Sequence, residues 1–211
     1  MSSRITLYRA AARHCKERRV VSLTDSGKVR LILDDIWDEG FVDAVLEAGQ
    51  WNMAIRALKI EYTPSVEPAF GYARAFDRPS DWVRTVAMSA DEYFNTPLRE
   101  YLDEGDYFYS EHDEIYIQYV SNDAAYGGDL VKWPQSLHEY AGLKMACGLA
   151  HALDLPNSQI ANLYNREITA LKVAKSRDAS RDPTKFPPGG SWVGTRRTGV
   201  VRQDYRAGRV L

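Results

Sequence analysis

The chain has 211 residues, of which 45% are hydrophobic and 27% charged, and its formal net charge is −2. That length fits one compact domain with appendages, or two small domains. A pI near 6.1 argues against a general nucleic-acid binder, and no apolar run reaches the roughly 20 residues that a membrane-spanning helix needs.

The first stretch is basic, but no apolar segment follows it, so no secretory signal is expected. Helical spacing over Ser3 to Arg19 comes from Ile5, Tyr8, Ala12 and Cys15. A turn cluster runs from Ser22 to Gly27, where Thr24 or Ser26 is expected to cap the next helix. That helix carries Val29, Leu31, Ile32, Leu33, Ile36 and Trp37, and Gly40 is expected to break it. Phe41, Val42, Val45 and Leu46 form another amphipathic turn, closed by Gly49 in the manner of a C-cap.

Period-two alternation over Leu58 to Tyr62 predicts a strand. Pro64, Pro68, Gly71 and Pro79 then mark a long irregular loop. Asp81 to Met88 and Leu98 to Leu102 are further strand candidates. Tyr107 to Tyr109 and Ile115 to Val120 flank the polar turn Ser110 to Glu114, and the pair reads as an aromatic β-hairpin.

Helix returns after Gly127-Gly128, with Pro134 in the first turn of a helix reaching about Leu153. Its small residues, Ala141, Gly142, Ala146, Gly148 and Ala150, would let another helix approach closely. A last helix follows Pro156, with Ile160, Leu163, Tyr164, Ile168 and Leu171 on one face. The fold class expected is α+β. Residues 1–57 and 131–175 form an α-helical bundle, 58–130 an inserted small antiparallel β domain, and 176–211 an extended basic C-terminal arm.

The arm holds eight Arg or Lys against three acids, a surplus of five that leaves −7 for the rest of the chain. It has too few clustered apolar residues to fold alone. A plain linker has no need of the aromatic anchors Phe186, Trp192 and Tyr205 among Arg196, Arg197, Arg202 and Arg206. The expectation is an arm that becomes ordered on another protein, where its arginines would pair with carboxylates.

Chemistry-bearing motifs are sparse. The chain has no Walker loop, GxGxxG or nucleophile elbow. His14, His112, His138 and His151 are scattered, and Cys15 and Cys147 lack metal spacing, so neither metal nor cofactor is expected. Both cysteines suit free thiols in a reducing compartment. Asp35 and Glu39 are i, i+4 neighbours and could share a helix face as an acid/base pair. A solvated face, or a subunit contact to arginines, is the favoured reading. Glu111, His112, Asp113 and Glu114 sit at the expected hairpin tip beside Tyr109, where contact with a partner is favoured over catalysis in open water. Trp51, Trp82 and Trp133 border apolar segments, which favours packing over ligand stacking.

The order of several weak motifs resembles the head-to-tail adaptor proteins of short-tailed bacteriophages, the tail tubular protein A family. The passage Leu46-Glu47-Ala48-Gly49-Gln50-Trp51-Asn52-Met53-Ala54 comes first. Phe70 to Phe76, the Pro79-Ser80-Asp81-Trp82 step, the acidic aromatic Tyr107–Val120 segment and Trp133-Pro134 follow in order. The similarity covers about residues 25–175. It implies a non-enzymatic virion protein at the head-tail junction, made in the host cytoplasm. Such adaptors form a twelve-fold ring that docks on the portal protein through the bundle and arm. Their β tip faces the tail nozzle or next tail ring, and DNA passes through the lumen without specific binding. The alternatives are a tail-associated peptidoglycan hydrolase using Asp35 and Glu39, and a basic-arm DNA-binding module.

Overall fold

Gly40, at φ 87 with open space where a Cβ would lie, separates the second and third helices as its position in the sequence suggests. The structure is a computed structural model and describes residues 3–181. Among the described residues, five α-helices and two three-stranded antiparallel sheets make the fold α+β. The helices are α1 (Arg4–His14), α2 (Lys28–Asp38), α3 (Phe41–Glu47), α4 (Gln135–Ala152) and α5 (Asn157–Ala179).

Helix α1 is shorter than the expected 3–19. It stops where Lys16 takes φ 60, and Lys16 to Arg19 offers no apolar stripe for another turn to bury. Neither Thr24 nor Ser26 caps α2; Gly27 holds that position in an extended conformation. Thr24 instead shares a hydroxyl bond with Ser22 at 2.9 Å. Nor does Gly49 act as a left-handed cap, because α3 ends at Ala48 in ordinary right-handed backbone. Gly49 is needed for space: a Cβ there would lie 2.8 Å from the Trp51 ring.

Helix α4 is central, with twelve of its residues buried, and α1, α2 and α5 pack around it. Its small residues admit the neighbours as expected. A Cβ on Gly142 would meet Ala10 of α1 at 3.0 Å, and one on Gly148 would meet Ile36 of α2 at 3.1 Å. Helix α5 touches α4 through a narrow stripe containing Ile160, Leu163, Leu171 and Ala174. Tyr164 and Ile168, expected on that face, are 42% and 51% exposed. They lie one step around the helix from the stripe, where α4, the main packing partner of α5, does not cover them. The helix also continues to Ala179, so residues 176–179 belong to the bundle and not to the arm.

The strands are β1 (Ile55–Glu61), β2 (Arg74–Asp77), β3 (Trp82–Ser89), β4 (Leu102–Glu104), β5 (Tyr107–Ser110) and β6 (Glu114–Ser121). One sheet has the order β1-β6-β3 and the other β2-β5-β4. The expected hairpin between Tyr107–Tyr109 and Ile115–Val120 does not exist: β5 and β6 lie in different sheets, and residues 111–113 turn the corner between them. The hairpin is β4-β5, where Glu104 faces Tyr107. Gly105 at φ 59 supplies the first of its two loop residues. Strand β2 lies inside the stretch expected to be irregular, and β4 begins at Leu102, where the expected strand ended.

Alternation explains the switch. Ile115, Ile117 and Tyr119 of β6 bury one face of their sheet, with Met88 of β3. Phe76 of β2 and Phe108 of β5 meet them from the other sheet. A hairpin between β5 and β6 would put all these side chains in one layer with nothing opposite. Each such side chain contributes about 1.5–3 kcal/mol when fully buried. Val120 joins the helical core beside Trp51, Ala54 and Trp133, which links the two bodies of packing.

Candidate functional site

Two of the tryptophans are structural, as favoured. Trp51 is buried, with its indole N–H donating to the Val45 carbonyl at 3.1 Å. Trp133 is buried and donates to the Gly127 carbonyl at 2.7 Å. Trp82 is half-buried, edge-on to Phe108, with the Arg78 guanidinium 4.2 Å from its ring centre.

The acidic corner between the sheets carries the tip residues. Phe108 and Ser110 of β5 turn inward, so Tyr109 faces outward with Tyr107, their rings 6.3 Å apart. Glu111, His112 and Asp113 are exposed. Asp113 accepts from Arg74 at 2.9 Å, and that guanidinium lies 4.3 Å from the Tyr62 ring centre. Glu114 pairs with Lys59 across the β1-β6 ladder. That contact, ahead of the Tyr116 hydroxyl, holds its carboxyl below the usual range. The structure thus gathers all five residues at one corner and gives two of them cationic partners.

Other carboxylates are tied more deeply. Asp34 of α2 accepts from the Tyr8 hydroxyl and from Arg4, each at 2.7 Å, and pairs with Arg30. Burial raises its pKa, but the Tyr8 bond and the two arginines outweigh that and hold it low. Asp81, ahead of β3, accepts from Tyr119 at 3.0 Å, from Arg56 at 2.9 Å and from Ser121. Burial pushes the Asp81 carboxyl up, and bonds from Ser121, Arg56 and Tyr119 more than reverse it. Both groups stay ionised and serve as anchors. The sequence reading missed these roles because, apart from Arg30 four positions before Asp34, the partners lie 25–40 positions away. Asp35 of α2 and Glu39 just after it, the considered acid/base pair, are both exposed.

Of the histidines, His14 and His138 line one cleft of about 500 Å³ between α1, α4 and α5, with Arg13, Glu139 and Arg166. Arg166 lies 3.2 Å from His14 Nδ1. Burial, then Arg166 and Arg13, lower the His14 pKa. His151 meets Tyr164 at 2.9 Å. No group of three metal-ligating side chains occurs among the described residues, and no helix among them is long and apolar enough to cross a membrane. The arm residues Phe186, Trp192, Arg196, Arg197, Arg202, Tyr205 and Arg206 lie outside the described residues.

No protein-family model matches this chain, and no curated protein matches it.

Proposed function

We propose that this chain is a structural subunit of a ring that joins a phage portal to its tail. The supporting observation is an acidic β body carried on a helical bundle that leads into a basic segment. Residues 58–130 hold fifteen acids against five basic residues, a net of −10. Strand β3 of the first sheet packs on α3, while α1 packs on α4 and α2. The corner at Tyr109 to Glu114 suits contact with the next tail component. The arm, with its aromatic and arginine side chains, suits the portal. An acidic lumen would let DNA pass without sticking.

Sedimentation velocity of the chain alone and mixed with a portal ring tests this. The reading expects transfer of about twelve copies onto the portal, the ring number that the resemblance to phage adaptors implies, closed by side-to-side contacts between copies. Truncation after Arg181 keeps Asp178 and its contact to Asn52, so the body should stay folded while portal binding is lost. A chain that ignores the portal, or a truncation that binds equally well, overturns the reading.

A further inference from the structure

Two surfaces of this chain carry opposite charge, and most of the charges on each have no ion-pair partner among the described residues. The first is built on α1 and the loop after it. Residues 1–30 hold eight basic residues against two acids, a net of +6. Arg4 and Arg30 are neutralised by Asp34. Arg13, Lys16, Arg18, Arg19 and Lys28 are exposed and pair with no carboxylate among the described residues. They are not dispersed. Arg13 lines both the 500 Å³ cleft and a second recess with Arg9, Lys16 and Arg19. Arg19 continues into a third recess with Arg18, Lys28 and Arg30. Arg13 is shared by the first two hollows and Arg19 by the second and third, so the basic side chains line one trough along α1 and its loop, with Glu139, Glu17 and Asp25 also in the lining.

The second surface is the edge strand β4 and its flanks. Strand β4 lies at the end of the β2-β5-β4 order, and all three of its residues are exposed. Glu100, Asp103, Glu104 and Asp106 fall within seven positions, and Glu111 shares a shallow recess with Glu100. Asp103 pairs with Arg78. Glu100, Glu104, Asp106 and Glu111 are exposed, with no cationic partner among the described residues.

We infer that the acidic β4 edge of one copy docks in the basic trough of α1 and its following loop on a second copy. The sign and clustering of the charges favour this occupant. Among the described residues, five basic side chains of the first surface and four acids of the second have no ion-pair partner. The contact joins two different patches, so it propagates from copy to copy and closes only if the rotation allows. It deepens the ring reading by naming the subunit contact. Charge complementarity of this kind sets register and encounter rate.

The test uses the full chain at low and raised salt, about 50 mM and about 300 mM, where screening differs strongly. Sedimentation equilibrium should show self-association that weakens about tenfold or more at the higher salt. Two variants follow: Arg13→Glu/Lys16→Glu/Arg19→Glu, and Glu100→Lys/Glu104→Lys/Asp106→Lys. Each alone carries two like-charged surfaces and should stay monomeric. Mixed, they should associate again, which simple misfolding would not allow. A wild-type chain that stays monomeric at low salt overturns the proposal, leaving the β4 charges as a guard against edge pairing. So does a basic-trough variant that loses duplex DNA binding while self-association is unchanged. Portal binding is read separately. Copies that associate without binding a portal sink the adaptor reading alone, whereas portal binding with no charge-dependent contact between copies sinks this interface alone.

Discussion

Asn52 and Asp178 clasp each other from positions 126 apart. The Asn52 backbone N–H donates to the Asp178 carboxylate at 2.9 Å, and the Asn52 side chain donates to the Asp178 carbonyl at 3.1 Å. Asp178 is buried in the last turn of α5, and Asn52 opens the short 3₁₀ turn leading into β1. The pair fixes the end of the bundle to the start of the β body. Asn52→Ala should cost about 1 kcal/mol. Asp178→Ala should cost about 1–3 kcal/mol, because it leaves a partly buried N–H without that acceptor. Urea midpoints of the two variants check this, and equal small losses would count against the clasp.

Gly49→Ala should destabilise the chain by about 1–3 kcal/mol, as overpacking does. The added carbon would sit 2.8 Å from the buried Trp51 ring, and that indole is held by its bond to Val45. Thermal unfolding reads the loss. A neutral result would mean that Trp51 has room to turn.

Asp81 sets an acid limit. Its carboxyl lies below the ordinary 3.8 in the folded state. Such a group stabilises the fold fully above its unfolded value, and the contribution disappears as pH falls through the folded value. Asp81→Ala should therefore be less stable than wild type at neutral pH. The gap should narrow only below about pH 4. Stability measured from pH 7 down to pH 2 checks this, and a gap that is constant throughout would refute it.

Asp91 should titrate at about 2. The Ser89 hydroxyl donates to it at 2.7 Å, and the Thr96 and Asn95 N–H groups donate at 2.7 and 3.1 Å. Ser89→Ala removes the leading cause, so the carboxyl should move up toward its ordinary value. Carboxyl carbon NMR follows the titration directly.

Both thiols should be silent in the native state. Burial, then Glu17, pushes Cys15 up to about 11; burial, then Glu167, pushes Cys147 up to about 12. At mildly alkaline pH neither holds appreciable thiolate, the reactive form. A maleimide should label both cysteines in urea and neither without it. Fast native labelling would show that the α1-α4 seam opens.

The sequence by itself determined the class of the fold and most of the helices. Gly40, the small-residue run of α4 and the alternation of β6 are patterns written within a few positions of each other, so a local reading detects them even though α4 and β6 meet distant partners. It also determined the charge map, since acids and bases are counted without coordinates. Only the tertiary structure decided that β5 and β6 part company. Tyr107 to Val120 looks locally like a hairpin, but burying Phe108 against Ile115 and Ile117 needs two opposed sheets. The roles of Asp34, Asp81 and Asp178 were likewise invisible, because each depends on partners brought together by packing. The same holds for the unpaired trough and edge. A run of basic residues is legible at once, but which of its charges remain without counterions emerges only when Asp34 is seen to neutralise Arg4 and Arg30 and no others.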